Sequence, residues 1–498
     1  MKKYLLPALA LVCALASQAA GGTHAFITGP FTSGPDVTKT CRQCHEEETT
    51  QFMKTVHWTW SKKQTVNGKA MEYGKKNALG NSFCSALPSN WPACTSCHAG
   101  YGWSEAAFDY SKAENVDCLI CHDTSGSYKK IPSAAGHPVY PGEKREFPPG
   151  KVWEPVDLVA AARSVDRPNR AACGNCHFYG GGGDGAKHGD LDSSLANPTA
   201  EIDIHMGKHQ LTCESCHQAA GHDVKGEAIS VSPGSGPRAM ACTDCHRRDV
   251  HKSAALNMHV KKVACQTCHI PTFAKGVATV MSWDWSTAGR DLKPREAKQE
   301  AKEQKKEGKD AKAREATKEG AAKPEEAKQE PLTEKQYDKM KGDLVLGKNL
   351  SPTLFWYNGS VERALLGQKI DPDKVVQLTA PRGDRKDPES KIFPFKVMTG
   401  RQAYDAQHKT LAVVNFYGPE TSESAYWVKW DWNKAIEAGM KAAGQPYSGK
   451  YGFVDTTMVW SLNHMVAPKE KALRCPDCHI ENGRIPWKSL GYPKDPRG

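Results

Sequence analysis

The pattern Cys-x-x-Cys-His occurs eight times in this chain, starting at Cys41, Cys94, Cys118, Cys173, Cys213, Cys242, Cys265 and Cys475. Each copy sets two thiols three residues apart, the spacing that forms thioethers to the two vinyl groups of one haem. The second thiols are Cys44, Cys97, Cys121, Cys176, Cys216, Cys245, Cys268 and Cys478. The adjoining His45, His98, His122, His177, His217, His246, His269 and His479 then lie under the iron as proximal ligands. Together the motifs use sixteen of the eighteen Cys. Zinc sites and disulfides are the competing readings. Zinc would need the pairs to combine two by two, and would leave the His after every pair unexplained.

Eight macrocycles constrain the fold. Their apolar faces form much of the core, so little strand, many short helices and long irregular connections are expected. The fold class is a mainly α multihaem cytochrome c with much irregular structure.

Residues 1–20 read as a secretory signal, with Lys2 and Lys3 ahead of an apolar run from Leu5 to Leu15 and small residues at 16–20. That run is too short to span a bilayer. Cys13 lies within it and is lost on cleavage; Val12 weakens a lipid-anchor reading, since a small residue is wanted there. No later segment is apolar enough for a transmembrane helix. The mature chain is expected to be exported, periplasmic or extracellular, where bacteria attach c-type haems.

Residues 21–292 form a haem-rich region with seven of the motifs. Residues 293–335 are almost all Lys, Glu, Ala, Arg and Gln, with Leu332 as the one large apolar residue. Such a stretch cannot bury a core. Like charges four apart, as at Glu296/Glu300 and Lys298/Lys302, disfavour a lone helix. An exposed insertion is expected. Residues 336–498 wrap back and deliver the eighth motif. Within them, 351–366 reads as a strand and turn, marked by Asn358-Gly359. Ser424 to Ala443 reads as a helix ended by Gly444.

The formal charge of +11 misleads. It falls to about +9 without Lys2 and Lys3, to about +1 with eight ferric haems at roughly −1 each, and to about −7 on full reduction. The basic balance is therefore no sign of nucleic acid binding, and none is expected.

Eleven His remain after the proximal eight. A six-coordinate low-spin iron, suited to electron transfer, needs a second axial ligand. His57, His137, His205, His222, His251, His259 and His464 lie near motifs in apolar or small-residue settings and are the candidates. His251 and His259, eight residues apart, would reach different haems. His188, His209, His408 and His24 are weaker; His24 is expected in a frayed terminus, and His209 competes with His205. Cys84 is the lone mature Cys outside a motif, either a reactive thiol or a small buried hydrophobe.

Several blocks then become familiar. They are Phe-Met-Lys-Thr-Val-His-Trp-Thr-Trp-Ser-Lys-Lys (52–63), Cys-Thr-Ser-Cys-His-Ala-Gly-Tyr-Gly-Trp (94–103) and Val-Asp-Cys-Leu-Ile-Cys-His-Asp-Thr (116–124). Two more are Cys-His-Phe-Tyr-Gly-Gly-Gly-Gly-Asp-Gly-Ala-Lys-His-Gly-Asp-Leu (176–191) and Ala-Pro-Lys-Glu-Lys-Ala-Leu (467–473). Over nearly the whole mature chain the sequence resembles the octahaem tetrathionate reductase family, related to hydroxylamine oxidoreductase and the multihaem nitrite reductases. The charged stretch is the main departure.

The resemblance implies that one haem, attached through Cys94 and Cys97 with His98 below, takes Lys187 in place of a distal His. It implies a substrate pocket there with Asp184, Cys84 and Asn81, and it allows a structural calcium nearby. Ligation needs the unprotonated amine of Lys187, which burial favours and Asp184 opposes. Glycines 180–183 would let backbone pass close to a macrocycle or substrate. The expected activity is two-electron reduction of a small anionic substrate, tetrathionate foremost, with electrons from a redox partner. Nitrite or hydroxylamine reduction and a non-catalytic electron carrier are the alternatives. Hydroxylamine oxidation would need a cross-linked Tyr, and no Tyr stands out for it.

Overall fold

The computed structural model describes residues 24–76, 86–148, 150–226, 240–292 and 331–497. The expected signal (1–20), Asn81, Cys84 and the charged stretch as far as residue 330 lie outside the described residues.

In the first half the motifs dictate local structure. Thiols at i and i+3 and the His at i+4 share one side of a helical turn. Each copy accordingly sits on or beside a short helix, such as Leu119–His122, Arg170–His177, Cys213–Cys216 and Cys265–His269. The same backbone hydrogen bond closes five of the turns: His N–H to Cys C=O at 45/41 (2.9 Å), 122/118 (3.1 Å), 217/213 (2.8 Å), 246/242 (2.9 Å) and 479/475 (2.9 Å). Side-chain caps start several of these helices. Asn169 accepts from Ala172 N, and Ser33 from Asp36 N. Apolar burial here is split among small clusters, one around Val37, Tyr101, Leu119 and Tyr128, another around Trp60, Leu87 and Trp103. This is the pattern of a core shared with macrocycles.

The second half departs from the expected mainly α class. An eight-stranded mixed sheet dominates it. In chain order its strands are β1 Thr279–Asp284, β2 Leu332–Asp338, β3 Gly342–Lys348, β4 Thr353–Tyr357, β5 Val376–Gln377, β6 Lys391–Asp405, β7 Thr410–Leu411 and β8 Tyr451–Ser461. The sheet order is β5-β8-β6-β1-β3-β2, with β4 and β7 also on β6. The pairs β5/β8 and β6/β1 are parallel, the others antiparallel. The physical reason is the haem gap. Between the seventh and eighth motifs the chain attaches no macrocycle of its own, and most of it buries its own side chains. Val454, Met458 and Trp460 alternate inward along β8, and Trp283, Trp285, Met398, Phe416 and Ile436 complete the cluster.

The tail of the charged stretch is also not an insertion: Leu332 to Lys335 pair with Val345 to Lys348 at the sheet edge. The expected strand and turn at 351–366 correspond to β4 followed by Val361–Arg363. The expected helix at 424–443 is two, Tyr426–Lys429 and α1 (Trp432–Ala442), because Trp430 adopts a left-handed φ of 56°. Asp431 caps α1 by accepting from Lys434 N, and α1 buries Ala435, Ile436, Gly439 and Met440 on one face. Among the described residues no helix is long and apolar enough to cross a membrane.

Candidate functional site

Seven of the eight proximal histidines stand opposite a second imidazole. Ring centroids are 6.2 Å apart for His45/His24, 6.3 Å for His177/His57 and 6.3 Å for His122/His222. They are 6.1 Å apart for His246/His205, 6.4 Å for His217/His464, 6.2 Å for His269/His251 and 6.1 Å for His479/His259. Two imidazoles trans on one iron, each bonded at about 2 Å, place their centroids about 6.3 Å apart. The residues present therefore fit seven haem irons with two histidines each.

Hydrogen bonds at Nδ1 leave Nε2 for the metal. His122 Nδ1 meets Asp166 O at 2.9 Å, His217 Nδ1 meets Lys225 O at 3.0 Å, His259 Nδ1 meets Ala255 O at 2.8 Å, and His479 Nδ1 meets Asp495 Oδ1 at 2.7 Å. His205 sits in one turn of π-helix, Ile204–Lys208, capped by Asp203.

Two assignments change places. His24 is not frayed. Ile27 is 5% exposed, its N–H bonds His24 O at 3.0 Å, and Arg163 Nε donates to Ile27 O at 2.8 Å, so the segment is tied down. His137, expected as a distal ligand, faces no proximal His. Its Nδ1 meets Tyr140 Oη at 2.7 Å and its ring stacks on Tyr101 at 5.5 Å. His188 packs on Trp460, His209 closes the π-helical turn, and His408 lies in a turn held by Asp405.

The eighth proximal histidine is different. His98 is fully buried and caged by Trp58 (5.1 Å), Trp60 (5.3 Å), Trp103 (4.9 Å) and Phe108 (5.4 Å). Burial pulls it down to about 3, keeping the imidazole neutral. Nε2 donates to Trp58 O at 2.7 Å, and Nδ1 has no hydrogen-bond partner. Among the described residues no second imidazole faces it.

Beneath this motif lies a polar cluster that sequence reading missed. The buried Lys130 ammonium is 2.9 Å from Asp117 Oδ2 and donates to the carbonyls of His98 and Gly100. Asp117 also accepts from Tyr101 Oη (2.7 Å), Tyr128 Oη (3.1 Å) and Ile120 N (3.1 Å).

Lys187 is 2% exposed, on the glycine-rich loop after Phe178. Of the glycines expected to approach a macrocycle or substrate, Gly182 approaches protein instead, and so does Gly189 further along the loop. A Cβ on Gly182 (φ 124°) would lie 3.1 Å from the Trp283 ring, and one on Gly189 (φ 79°) 2.9 Å from Phe273. Carboxylates fold the loop. Asp184 accepts from Ser193 N at 2.8 Å, Asp192 from Val277 N at 3.1 Å, and Asp190 from Asn463 N at 2.7 Å. Asp184 is thus engaged with Ser193, a role in loop folding that its position three residues before Lys187 did not reveal.

Lys396 of β6, fully buried, reaches the same loop. Burial pulls it well below the ordinary lysine range; Asp190 opposes this and Lys187 reinforces it.

Cys84 and Asn81 lie outside the described residues, but the segment after them is anchored. Buried Asn90 donates to Val414 O at 2.9 Å and accepts from Phe416 N at 2.9 Å, fixing it to the C-terminal half. Among the described residues no group of three or more His, Cys, Asp or Glu side chains could hold a metal ion, so the suggested calcium acquires no ligand set there.

Cysteines from all eight motifs form one connected series. Cys41 contacts Cys118, Cys97 contacts Cys176, Cys173 contacts Cys213, and Cys242 contacts Cys265. Cys121 lies close enough to Cys173 and Cys176, Cys245 to Cys216, and Cys478 to Cys268 to act on them electrostatically. The motif at Cys173/Cys176 is the branch, adjoining the second, third and fifth motifs.

Comparison with known proteins places the chain among multihaem c-type cytochromes. Three family models match successive parts: cytochrome c554 and c-prime over residues 40–123, cytochrome c7 and related cytochrome c over 199–280, and bacterial cytochrome c over 280–482. An uncharacterized protein of Archaeoglobus fulgidus is 28% identical over 225 residues, 37% of this chain and 74% of that protein. The crystal structure of octahaem cytochrome c from Shewanella oneidensis superposes with a TM-score of 0.78 at 40% identity, covering 94% of this chain and 96% of that one.

Proposed function

Since this chain belongs to the octahaem cytochrome c family of tetrathionate reductase-like proteins, we propose that it is an exported reductase of small oxyanions acting foremost on tetrathionate. The family carries covalently bound c-type haems, and the eight motifs match the count of the solved neighbour. The observation that carries the reading is the asymmetry of the ligands. Seven proximal histidines have an imidazole opposite, and His98 does not. The haem without a second His is the one to which the resemblance assigns Lys187 and the substrate. When bound, the haems supply one-electron steps, two of which suffice for tetrathionate.

The two electrons enter the central S–S bond. It breaks, and each half leaves as thiosulfate with no proton required. Lys187 would serve as the iron's ligand in the resting state and, free and protonated, would hold the dianion by charge. By the resemblance, Cys84 would engage the sulfur chain by thiol–disulfide-like exchange. The resemblance assigns Asn81 and Asp184 to the same pocket.

A non-catalytic carrier is the second reading, favoured by the unbroken series of attachment sulfurs. The purified haem-loaded protein should oxidise reduced viologen with tetrathionate, and Cys84→Ala should lower that rate at least tenfold. Fast nitrite or hydroxylamine turnover indifferent to Cys84 would move the assignment to nitrogen chemistry. No turnover on any of the three would favour the carrier.

The exchange of His24 for His137 is tested separately. His24→Ala should convert one of the low-spin haems to a high-spin or ligand-accessible one in EPR, and His137→Ala should convert none. The opposite result would return His137 to the ligand set.

A further inference from the structure

We propose that Asp190 lowers the reduction potential of the fifth haem, the one attached through Cys213 and Cys216, by drawing on the Nδ1 proton of its ligand His464; this rests on the pairing of His464 with His217 described above. Asp190 is fully buried. Its Oδ2 accepts from Asn463 N at 2.7 Å, from His464 N at 3.0 Å and from His464 Nδ1 at 3.3 Å. Its Oδ1 has no hydrogen-bond partner among the described residues. A buried carboxylate with one oxygen left over costs free energy. Tying down the chain at 463–464 needs only the two backbone amides. The contact with the imidazole is what that role leaves unexplained.

The carboxylate acts on the iron in two ways. Accepting from Nδ1–H makes the imidazole a more basic ligand, which favours ferric iron. The anion also favours the more positive ferric centre by charge, most strongly where water is excluded. Both make the fifth haem harder to reduce. At His122, His217 and His259 a neutral backbone carbonyl takes the same place. His479 has a carboxylate, Asp495, but that side chain is 22% exposed and water screens it. Lys396 opposes Asp190 electrostatically. Its amine, however, hydrogen-bonds to Ala186 O, Lys187 O and Thr279 Oγ1, and burial disfavours its charged form.

The position of this haem gives the effect its consequence. Cys213 adjoins Cys173 of the branch motif, and Cys216 adjoins Cys245 of the sixth motif. The seventh and eighth motifs follow beyond the sixth. Electrons crossing between that arm and the branch pass the fifth haem, so a lowered potential there makes it the step they must climb.

The test is an EPR-monitored redox titration of the haem-loaded full chain. His464→Ala first identifies the low-spin signal of the fifth haem, which it should convert to high spin. Asp190→Asn keeps an oxygen for the two backbone amides and removes the charge. In that variant the fifth-haem signal should become at least tenfold easier to reduce, about 59 mV upward for one electron, with the other signals unmoved. A smaller or opposite change overturns the proposal and leaves Asp190 a tie between loops. Where Asp190→Asn does not take up haem, the unsubstituted protein decides. His222→Ala identifies the signal of the third haem, where His122 faces a carbonyl and His222 Nδ1 has no partner among the described residues. The fifth haem should be at least tenfold harder to reduce than the third, and a smaller difference overturns the proposal. If His464→Ala removes no low-spin signal, the pairing of His464 with His217 falls instead.

Discussion

Replacing Asp117 with Ala should destabilise the haem-loaded protein by about 3–5 kcal/mol, as removal of one member of a buried ion pair does. The Asp117 side chain is 0% exposed and that of Lys130 is 3% exposed. In Asp117→Ala, Lys130 keeps its two carbonyl acceptors but loses its counter-ion, and the Tyr101 and Tyr128 hydroxyls lose their acceptor. Burial, with the carboxylate behind it, holds both tyrosines well above their ordinary range, so they remain donors that need acceptors. The effect should appear as a lower denaturant midpoint followed at the Soret band. Asp117→Ala combined with Lys130→Met should recover part of the loss, because the double variant buries no unpaired charge. A double variant as unstable as the sum of the two singles would show that the pair is not the coupled unit described.

The cluster shows where sequence reading stops. Thiol spacing and the adjoining His are local, so the eight motifs, whose count fits the solved octahaem neighbour, were legible. Of the candidate second histidines, six lie close in sequence to motifs and each faces a proximal His in the fold. His24 escaped because what anchors it, Ile27 under Arg163, is a contact between residues 136 apart in sequence. His137 misled because a His near a motif in a small-residue setting has the same local appearance whether it faces iron or a tyrosine. Asp117, Lys130 and Lys396 have no local signature at all. In Ile-Phe-Pro-Phe-Lys-Val-Met (392–398), Lys396 reads as a polar break, and only the return of Ala186 and Lys187 explains it. The sheet was half legible. A stretch of two hundred residues with no Cys announces that no macrocycle supplies its core, and alternation in Tyr451–Ser461 then specifies strand. Expecting haems to set the class throughout overrode that signal.

Lys187→Ala should have the largest effect on function. The residue is 2% exposed, and both flanking carbonyls are held by Lys396. With the amine removed, the His98 haem should lose its sixth protein ligand, become high-spin and respond to cyanide or sulfite, while the seven paired sites stay silent. Tetrathionate turnover should fall on the order of 10²-fold or more in kcat, as when one preorganised charged donor is removed from an active site. Lys187→Arg separates the two roles of the lysine. A guanidinium stays charged and cannot ligate iron as a neutral amine does. If Lys187 acts only by holding the dianion, Arg should restore turnover without restoring the low-spin signal. If ligation and release are both needed, Arg should restore neither. Turnover and spectrum both untouched in Lys187→Ala would remove Lys187 from the site and leave His98 paired with another ligand.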